Sequence, residues 1–108
     1  MYAKALEERF LCRYYEKDRA GALELSAGVK DAYDRLLRIY PDAADLRRRR
    51  GAVSGNLALV LIGLDRLAEA EVELRAAIHH LQLRLEKSPT DARAYRFLVS
   101  QYKSLCWL

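Results

Sequence analysis

The sequence predicts an all-α fold of about five helices arranged as repeated antiparallel pairs, and three observations predict it. Only two prolines, Pro41 and Pro89, and five glycines interrupt 108 residues, and those two residue types are the strongest local punctuation a chain has. Apolar residues recur in steps of three and four, as Ala22, Leu25, Val29, Tyr33, Leu36 and Tyr40 and again as Leu67, Ala70, Leu74, Ala77, Leu81 and Leu85. That spacing puts side chains on one face of a helix. The two stretches also align without gaps at one constant shift, 70 minus 22 or 89 minus 41, with Ala20 on Ala68, Ala22 on Ala70, Val29 on Ala77, Leu37 on Leu85 and Pro41 on Pro89. The chain therefore contains an internal repeat.

The elements follow in order. A first helix is predicted over 2–17 and a second over 20–40, separated by a turn at Asp18-Arg19. Pro41 ends the second, because its ring removes a backbone donor and clashes with the preceding turn. A third helix is predicted over 43–64 and a fourth over 67–87, with the turn at Asp65-Arg66 between them and Pro89 behind. Asp18-Arg19 falls on Asp65-Arg66 at a shift one smaller, 65 minus 18, which implies one residue gained or lost in the turn. The third helix carries Leu57, Leu59, Val60, Leu61, Ile62 and Leu64 nearly all round and is expected at the centre of the core. A fifth helix, 91–107, has Tyr95, Leu98, Val99, Tyr102 and Leu105 on one side and Arg93, Arg96, Ser100, Lys103 and Ser104 on the other. Asp42 and Asp91 are expected to cap the third and fifth helices, since a carboxylate satisfies free N–H groups at the positive end of the dipole. The whole reads as one domain, 1–108, of two units, 2–41 and 43–89, and a partial or capping unit, 91–108. Either the fifth helix is a solvating cap or the chain is a piece of a longer array.

Composition bounds the function classes. At 52% hydrophobic and 31% charged the chain is a folded domain rather than a disordered one. Its 19 basic and 15 acidic residues leave a net charge of +4, a modest excess well short of a nucleic-acid tail. Cys12 and Cys106 lie far apart without nearby ligand partners, so neither a disulfide framework nor a zinc site is read, and a reducing cytoplasm is the default. Lys4, Glu7, Glu8 and Arg9 occupy the place of a signal peptide's apolar run, and Leu57 to Leu64 is too short to span a bilayer. A soluble, intracellular chain without a membrane partner is the expectation.

The segment Asn56-Leu57-Ala58, Leu61, Asp65-Arg66, Ala70, Leu74 and Ala77-Ile78 resembles the signature of the tetratricopeptide repeat family. Asp65 stands where that family has a turn glycine, and Pro89 comes late, so the second helix is about two turns longer than in the basic repeat. This lengthening resembles the kinesin light chain type and the repeats of some bacterial kinase-associated proteins. The resemblance is good over 43–89, fair over 2–41 and partial over 91–108. It implies helix pairs stacked as a short right-handed superhelix, an α-solenoid, whose first helices line a concave groove for a partner's peptide or helix. Asn56 corresponds to a position from which related repeats bond a ligand's backbone; the same amide can equally bond a neighbouring helix or water. Arg9 takes the matching position in the first unit, and Tyr15 a later groove position. No cofactor is implied.

Other features have competing readings. Arg47, Arg48 and Arg49, with Arg50, form a basic patch able to meet phosphates, but consecutive helical residues fan out by about 100° each. Asp45 lies within reach of Arg48 and Arg49, so a salt-bridged helix start is the favoured reading, ahead of contact with acidic protein or nucleic acid. Arg50 continues the Leu46, Val53, Leu57 stripe, its stem packed and its head reaching outward. His79 and His80 point in different directions and are read as structural. Tyr14, Tyr15, Tyr33, Tyr40, Tyr95 and Tyr102 are expected mostly in the core with hydroxyls reaching water, and Cys12 is expected buried. No phosphate loop, nucleophile elbow or acid pair is present, so the chain is read as a non-enzyme. The expected function is protein–protein scaffolding through the groove. The alternatives are an architectural or self-associating fragment and, third, a basic nucleic-acid-binding module.

Overall fold

A computed structural model describes residues 2–108, which form five helices and, among the described residues, no strand: α1 (Tyr2–Tyr15), α2 (Arg19–Ile39), α3 (Ala44–Gly63), α4 (Leu67–Lys87) and α5 (Ala92–Trp107). Several boundaries have a local cause. Asp18 accepts a hydrogen bond from the Gly21 amide at 2.9 Å and caps α2, and Asp91 does the same for α5 through the Ala94 amide at 3.1 Å. Asp42 does not cap α3; the boundary residue is Ala43, without a side-chain bond, and Asp42 instead sits 3.4 Å from Lys87 in an exposed pair. Tyr40 and Ser88 close α2 and α4 just ahead of Pro41 and Pro89, which cannot extend them.

The two interhelical turns are the same turn. Lys17 (φ 61°) and Asp65 (φ 60°) both lie in the left-handed region. In each turn two bonds close the helix end: Asp18 N–H to Arg13 O (2.9 Å) with Lys17 N–H to Tyr14 O (3.1 Å), and Arg66 N–H to Leu61 O (2.8 Å) with Asp65 N–H to Ile62 O (3.0 Å). This is the Schellman closure of a helix C-terminus. The connection Ala43 N–H to Tyr40 O likewise repeats as Asp91 N–H to Ser88 O. One constant shift thus runs unbroken from α1–α2 through α3–α4 into α5. The smaller shift read at Asp18-Arg19 is corrected: the similar residue pairs there are not structurally equivalent, and nothing is gained or lost in the turn.

Packing runs along the chain, α1 on α2, α2 on α3, α3 on α4 and α4 on α5, with α3 and α4 the closest pair and α3 also reaching α1 and α5. As expected, α3 is central and has two buried faces. Val53, Leu57, Val60 and Leu61 join Phe10, Val29 and Tyr33 in a core shared with α1 and α2. On the opposite side Gly51 lies against Leu81, Ala77 and His80 of α4, and Gly55 lies against Gln101 of α5. Small residues there let the backbones approach closely, while Phe10 and Tyr33, both fully buried, fill the wider space under α1; burying such a ring contributes about 2–3 kcal/mol.

The tyrosines depart from expectation. Tyr33 is enclosed and Tyr14 half-buried, but Tyr2, Tyr15, Tyr40, Tyr95 and Tyr102 are exposed. Helical spacing places them on stripes that lie largely in solvent, although the Tyr102 hydroxyl accepts from Gln82 of α4 at 2.9 Å. Cys12 is exposed rather than buried, as is Cys106. No helix among the described residues is long and apolar enough to cross a membrane.

Candidate functional site

The third helix has one side that neither α2 nor α4 covers. Ala52, Asn56 and Leu59 fall on it at steps of four and three, which is one helix face, and Gly63, the next step along, lies at its end under Arg19 of α2. Asn56 is half-buried and Leu59 is 46% exposed. The internal repeat maps this face onto Lys4, Glu8, Leu11 and Tyr15 of α1. The partner of Asn56 in the first unit is therefore Glu8, not Arg9. Arg9 is equivalent to Leu57, on the face that α3 buries against the preceding pair, and in α1 it is exposed.

Between the C-terminal halves of α1 and α3 lies a cleft of about 350 Å³ lined by Tyr14, Tyr15, Lys17, Arg19, Leu59 and Val60. Its apolar part is held from below. Phe10 is fully buried, Tyr14 lies 6.4 Å from it in a stacked pair, and Tyr15 meets Tyr14 edge-on at 5.2 Å. Burial, with the adjacent Tyr15, raises the Tyr14 hydroxyl above its ordinary range. Tyr15 remains 75% exposed. The cationic part is positioned by backbone features. Lys17 is the left-handed residue of the turn, and Arg19 lies across Gly63 so closely that any side chain there would strike its guanidinium. Asp18 is occupied with Gly21 and with Arg13 at 3.7 Å. Glu8, Leu11, Cys12, Tyr15 and Glu16 line a shallower depression next to the cleft. Aromatic and aliphatic side chains standing in water beside two cations suit a ligand with apolar and acidic groups.

The arginine run does not form a patch. Arg48 donates to Asp45 at 2.8 and 3.3 Å, and Arg49 donates to Asp45 at 3.0 Å and to Glu7 at 3.3 Å. Burial pushes the Asp45 carboxyl up, but the hydrogen bonds from Arg48 and Arg49 outweigh it and hold it below its usual range. Arg47 lies 3.4 Å from His80 Nδ1. Arg50 does not reach outward as its stem position suggested. Its side chain is 9% exposed, bonded to Asp34 at 2.9 Å and to the Ser54 hydroxyl. Glu7 also accepts the Tyr33 hydroxyl at 2.7 Å, and burial together with that carboxylate raises the Tyr33 pKa. Three of the four arginines thus tie α3 to its neighbours, Arg49 to α1, Arg50 to α2 and Arg47 to α4, while Arg48 is held within α3 by Asp45.

His79 is exposed and His80 buried, with rings 5.6 Å apart and edge-on. Burial, then the charges of Arg50, Arg47 and His79, lower the His80 pKa to about 4, so it is neutral at physiological pH. No cluster of three or more His, Cys, Asp or Glu that could hold a metal occurs among the described residues.

Sequence reasoning pointed to Tyr15 and Asn56 but missed Glu8, Leu59, Lys17 and Arg19. The signal was there in the gapless repeat, which the look-alike Asp-Arg pairs obscured. Comparison with protein-family models, with curated proteins and with solved structures returns no match.

Proposed function

We propose that this chain is a protein-interaction module of the tetratricopeptide-like α-solenoid kind, receiving a partner's peptide or helix along the uncovered faces of α1 and α3. The observation that carries this is the cleft where exposed Tyr15 and Leu59 stand beside Lys17 and Arg19. Large apolar side chains left in water next to cations are what an interface uses as anchors and rim. The ligand is a segment with one or two apolar side chains followed by acidic ones, and Asn56 and Glu8 extend the contact along the same faces. The pairing of Arg48, Arg49 and Arg50 with carboxylates argues against phosphate recognition by that run. We read the module as non-catalytic and as working in the cytoplasm, where Cys12 and Cys106 stay reduced.

The test is selection of peptides from a random displayed library on the immobilised chain, followed by titration of the selected sequence. A Tyr15→Ser, Leu59→Ser variant with an unchanged helical circular dichroism spectrum is expected to bind at least tenfold more weakly. A Lys17→Glu, Arg19→Glu variant is expected to lose acidic ligands selectively. Equal binding by all three proteins overturns the reading.

A further inference from the structure

We propose that the outer face of α5, centred on Val99 and Tyr102, is a second docking surface that accepts an acidic amphipathic helix, packed antiparallel as α4 packs on α3. It lies on a different face of the molecule from the cleft and does not depend on it.

The internal repeat identifies the face. Each first helix of a pair meets its own partner through one stripe: Ala3, Leu6 and Phe10 in α1, and Gly51, Ser54 and Ala58 in α3. All but Leu6 are buried, and Leu6 is half-buried. The equivalent stripe in α5 is Val99, Tyr102 and Cys106, preceded by Tyr95 at the position of Arg47. Among the described residues its one recorded side-chain hydrogen bond is at Tyr102, whose hydroxyl accepts from the Gln82 amide of α4 at 2.9 Å; the rest of the stripe stands open. Tyr95, Tyr102 and Cys106 are exposed and Val99 half-buried, and Tyr95, Arg96, Val99, Ser100 and Lys103 line a shallow groove. Meanwhile α5 is engaged on its other side, where Ala94 and Gln101 are buried against α4 and α3. The helix therefore docks onto the preceding pair as α3 does and presents, unpaired, the stripe that α3 fills with α4.

The opposite end of the molecule differs. The face of α1 equivalent to the α3 surface on α2 consists of Tyr2, Ala5, Arg9, Cys12 and Arg13, charged enough to remain in water. Of the two ends, only that of α5 carries an aromatic and aliphatic stripe.

Charge selects the occupant. From Ala92 to Leu108 there is no acidic residue, while Arg93, Arg96 and Lys103 are all present and exposed. The nearest carboxylate in sequence, Asp91, is already bonded to Arg84 at 2.7 Å and to the Ala94 amide. Arg96 and Lys103 border the stripe on its open side, one helical face from Val99. A second copy of the chain docked α5 on α5 would bring like charges together, and like-charge juxtaposition is costly. A helix with small and aliphatic residues toward Val99 and Tyr102, and Glu or Asp along the edge facing Arg96 and Lys103, satisfies both requirements.

The probe is a labelled 21-residue peptide, the length of α4, with Ala, Leu, Ala and Leu at the places of Ala70, Leu74, Ala77 and Leu81 and Glu along one flank. Its twin carries Lys in place of each Glu. Fluorescence anisotropy with the full chain is expected to show saturable binding of the acidic peptide and at least tenfold weaker binding of the basic twin. Val99→Glu is expected to weaken the acidic peptide at least tenfold. If that variant loses helicity, Arg96→Glu with Lys103→Glu, which alters only exposed residues, provides the same test by reversing the preference between the twins. The Tyr15→Ser, Leu59→Ser chain is expected to bind the peptide normally, so failure of the cleft reading leaves this one intact. The proposal is overturned by equal binding of the twins, by no binding at millimolar peptide, or by light scattering that shows a dimer abolished by Val99→Glu.

Discussion

Lys17 and Asp65, one internal repeat apart, hold the same left-handed backbone conformation at the same point of the same turn. Neither is glycine, so each stores strain where its Cβ crowds the following carbonyl, a cost of roughly 1–2 kcal/mol for an ordinary residue. Replacing Lys17 by Gly is expected to stabilise the fold by about 0.5–1 kcal/mol, the relief of strain being partly offset by the larger entropy of an unfolded glycine. Asp65→Gly should gain less, because Asp tolerates this region through local hydrogen bonding. Asp65→Val is expected to destabilise, since a β-branched residue is least tolerated there. Urea unfolding of the three variants measures this, and a destabilised Lys17→Gly protein would show that the side chain contributes more than the strain costs.

Arg50 is a buried cation whose ion-pair partner is not buried with it. Asp34 is 42% exposed at the side chain, against 9% for Arg50. Asp34→Ala leaves the guanidinium with only Ser54 and is expected to cost about 2 kcal/mol, below the roughly 3–5 kcal/mol of a fully enclosed pair because water reaches the site. Arg50→Met keeps much of the volume, removes the charge and is expected to cost under about 1 kcal/mol. If Arg50→Met is the more damaging of the two, the ion pair contributes net stability. Chemical denaturation with the double variant closing the cycle isolates the pair.

The helices were legible in the sequence because hydrophobic spacing, Pro41 and Pro89 act locally, and observed ends differ from those read by two residues or fewer. The central place of α3 was legible for the same reason, since a helix apolar on opposing sides must have neighbours on both. The turn register was not. Asp18-Arg19 resembles Asp65-Arg66 as letters, but Asp18 is a helix cap and Asp65 a left-handed residue. That one-residue slip moved the groove position in α1 from Glu8 to Arg9. The fate of Arg50 was also hidden, because a stem on an apolar stripe is compatible with a head turned in or out; only Asp34 and Ser54, brought close by the folding of α2 onto α3, decide it.

His80 couples the fold to pH. Its pKa falls from an ordinary 6.5 to about 4 on folding, so between those values the unfolded chain binds the extra proton. Stability then rises with pH through that window: it is fully present above about pH 6.5 and is lost progressively toward pH 4. A depression of this size corresponds to about 2 kcal/mol after allowing for partial solvent access. The urea midpoint is expected to drop between pH 7 and pH 4.5, and His80→Gln, which cannot titrate, is expected to flatten the drop. An unchanged slope in the variant would assign the acid sensitivity to other groups. Asp45 and Asp91, held below their usual range, add acid sensitivity only at lower pH, where they become protonated.

Gly28 and Gly51 are both mid-helix glycines with opposite surroundings. A Cβ on Gly28 meets nothing within 4 Å, whereas one on Gly51 comes to 3.1 Å from Leu81 Cγ, 3.2 Å from the Ala77 carbonyl and 3.3 Å from His80 Cβ. Alanine gains about 0.5–1 kcal/mol over glycine in a helix interior by reducing the freedom of the unfolded chain. Gly28→Ala is therefore expected to stabilise by about that amount and to raise the melting temperature by about 4 °C. In Gly51→Ala the same gain is set against separation of α3 from α4, the closest pair in the fold. A backbone carbonyl cannot rotate out of the way as a side-chain end can, and overpacking of this kind costs about 1–3 kcal/mol. Net destabilisation of up to about 2 kcal/mol is expected. Because His80 Cβ is one of the atoms met, Gly51→Ala should also change the pH dependence of the His80 window, whereas Gly28→Ala should shift the stability curve uniformly. Thermal melts of both variants at pH 7 and pH 5 separate a packing effect at the α3–α4 interface from a general gain in helix propensity.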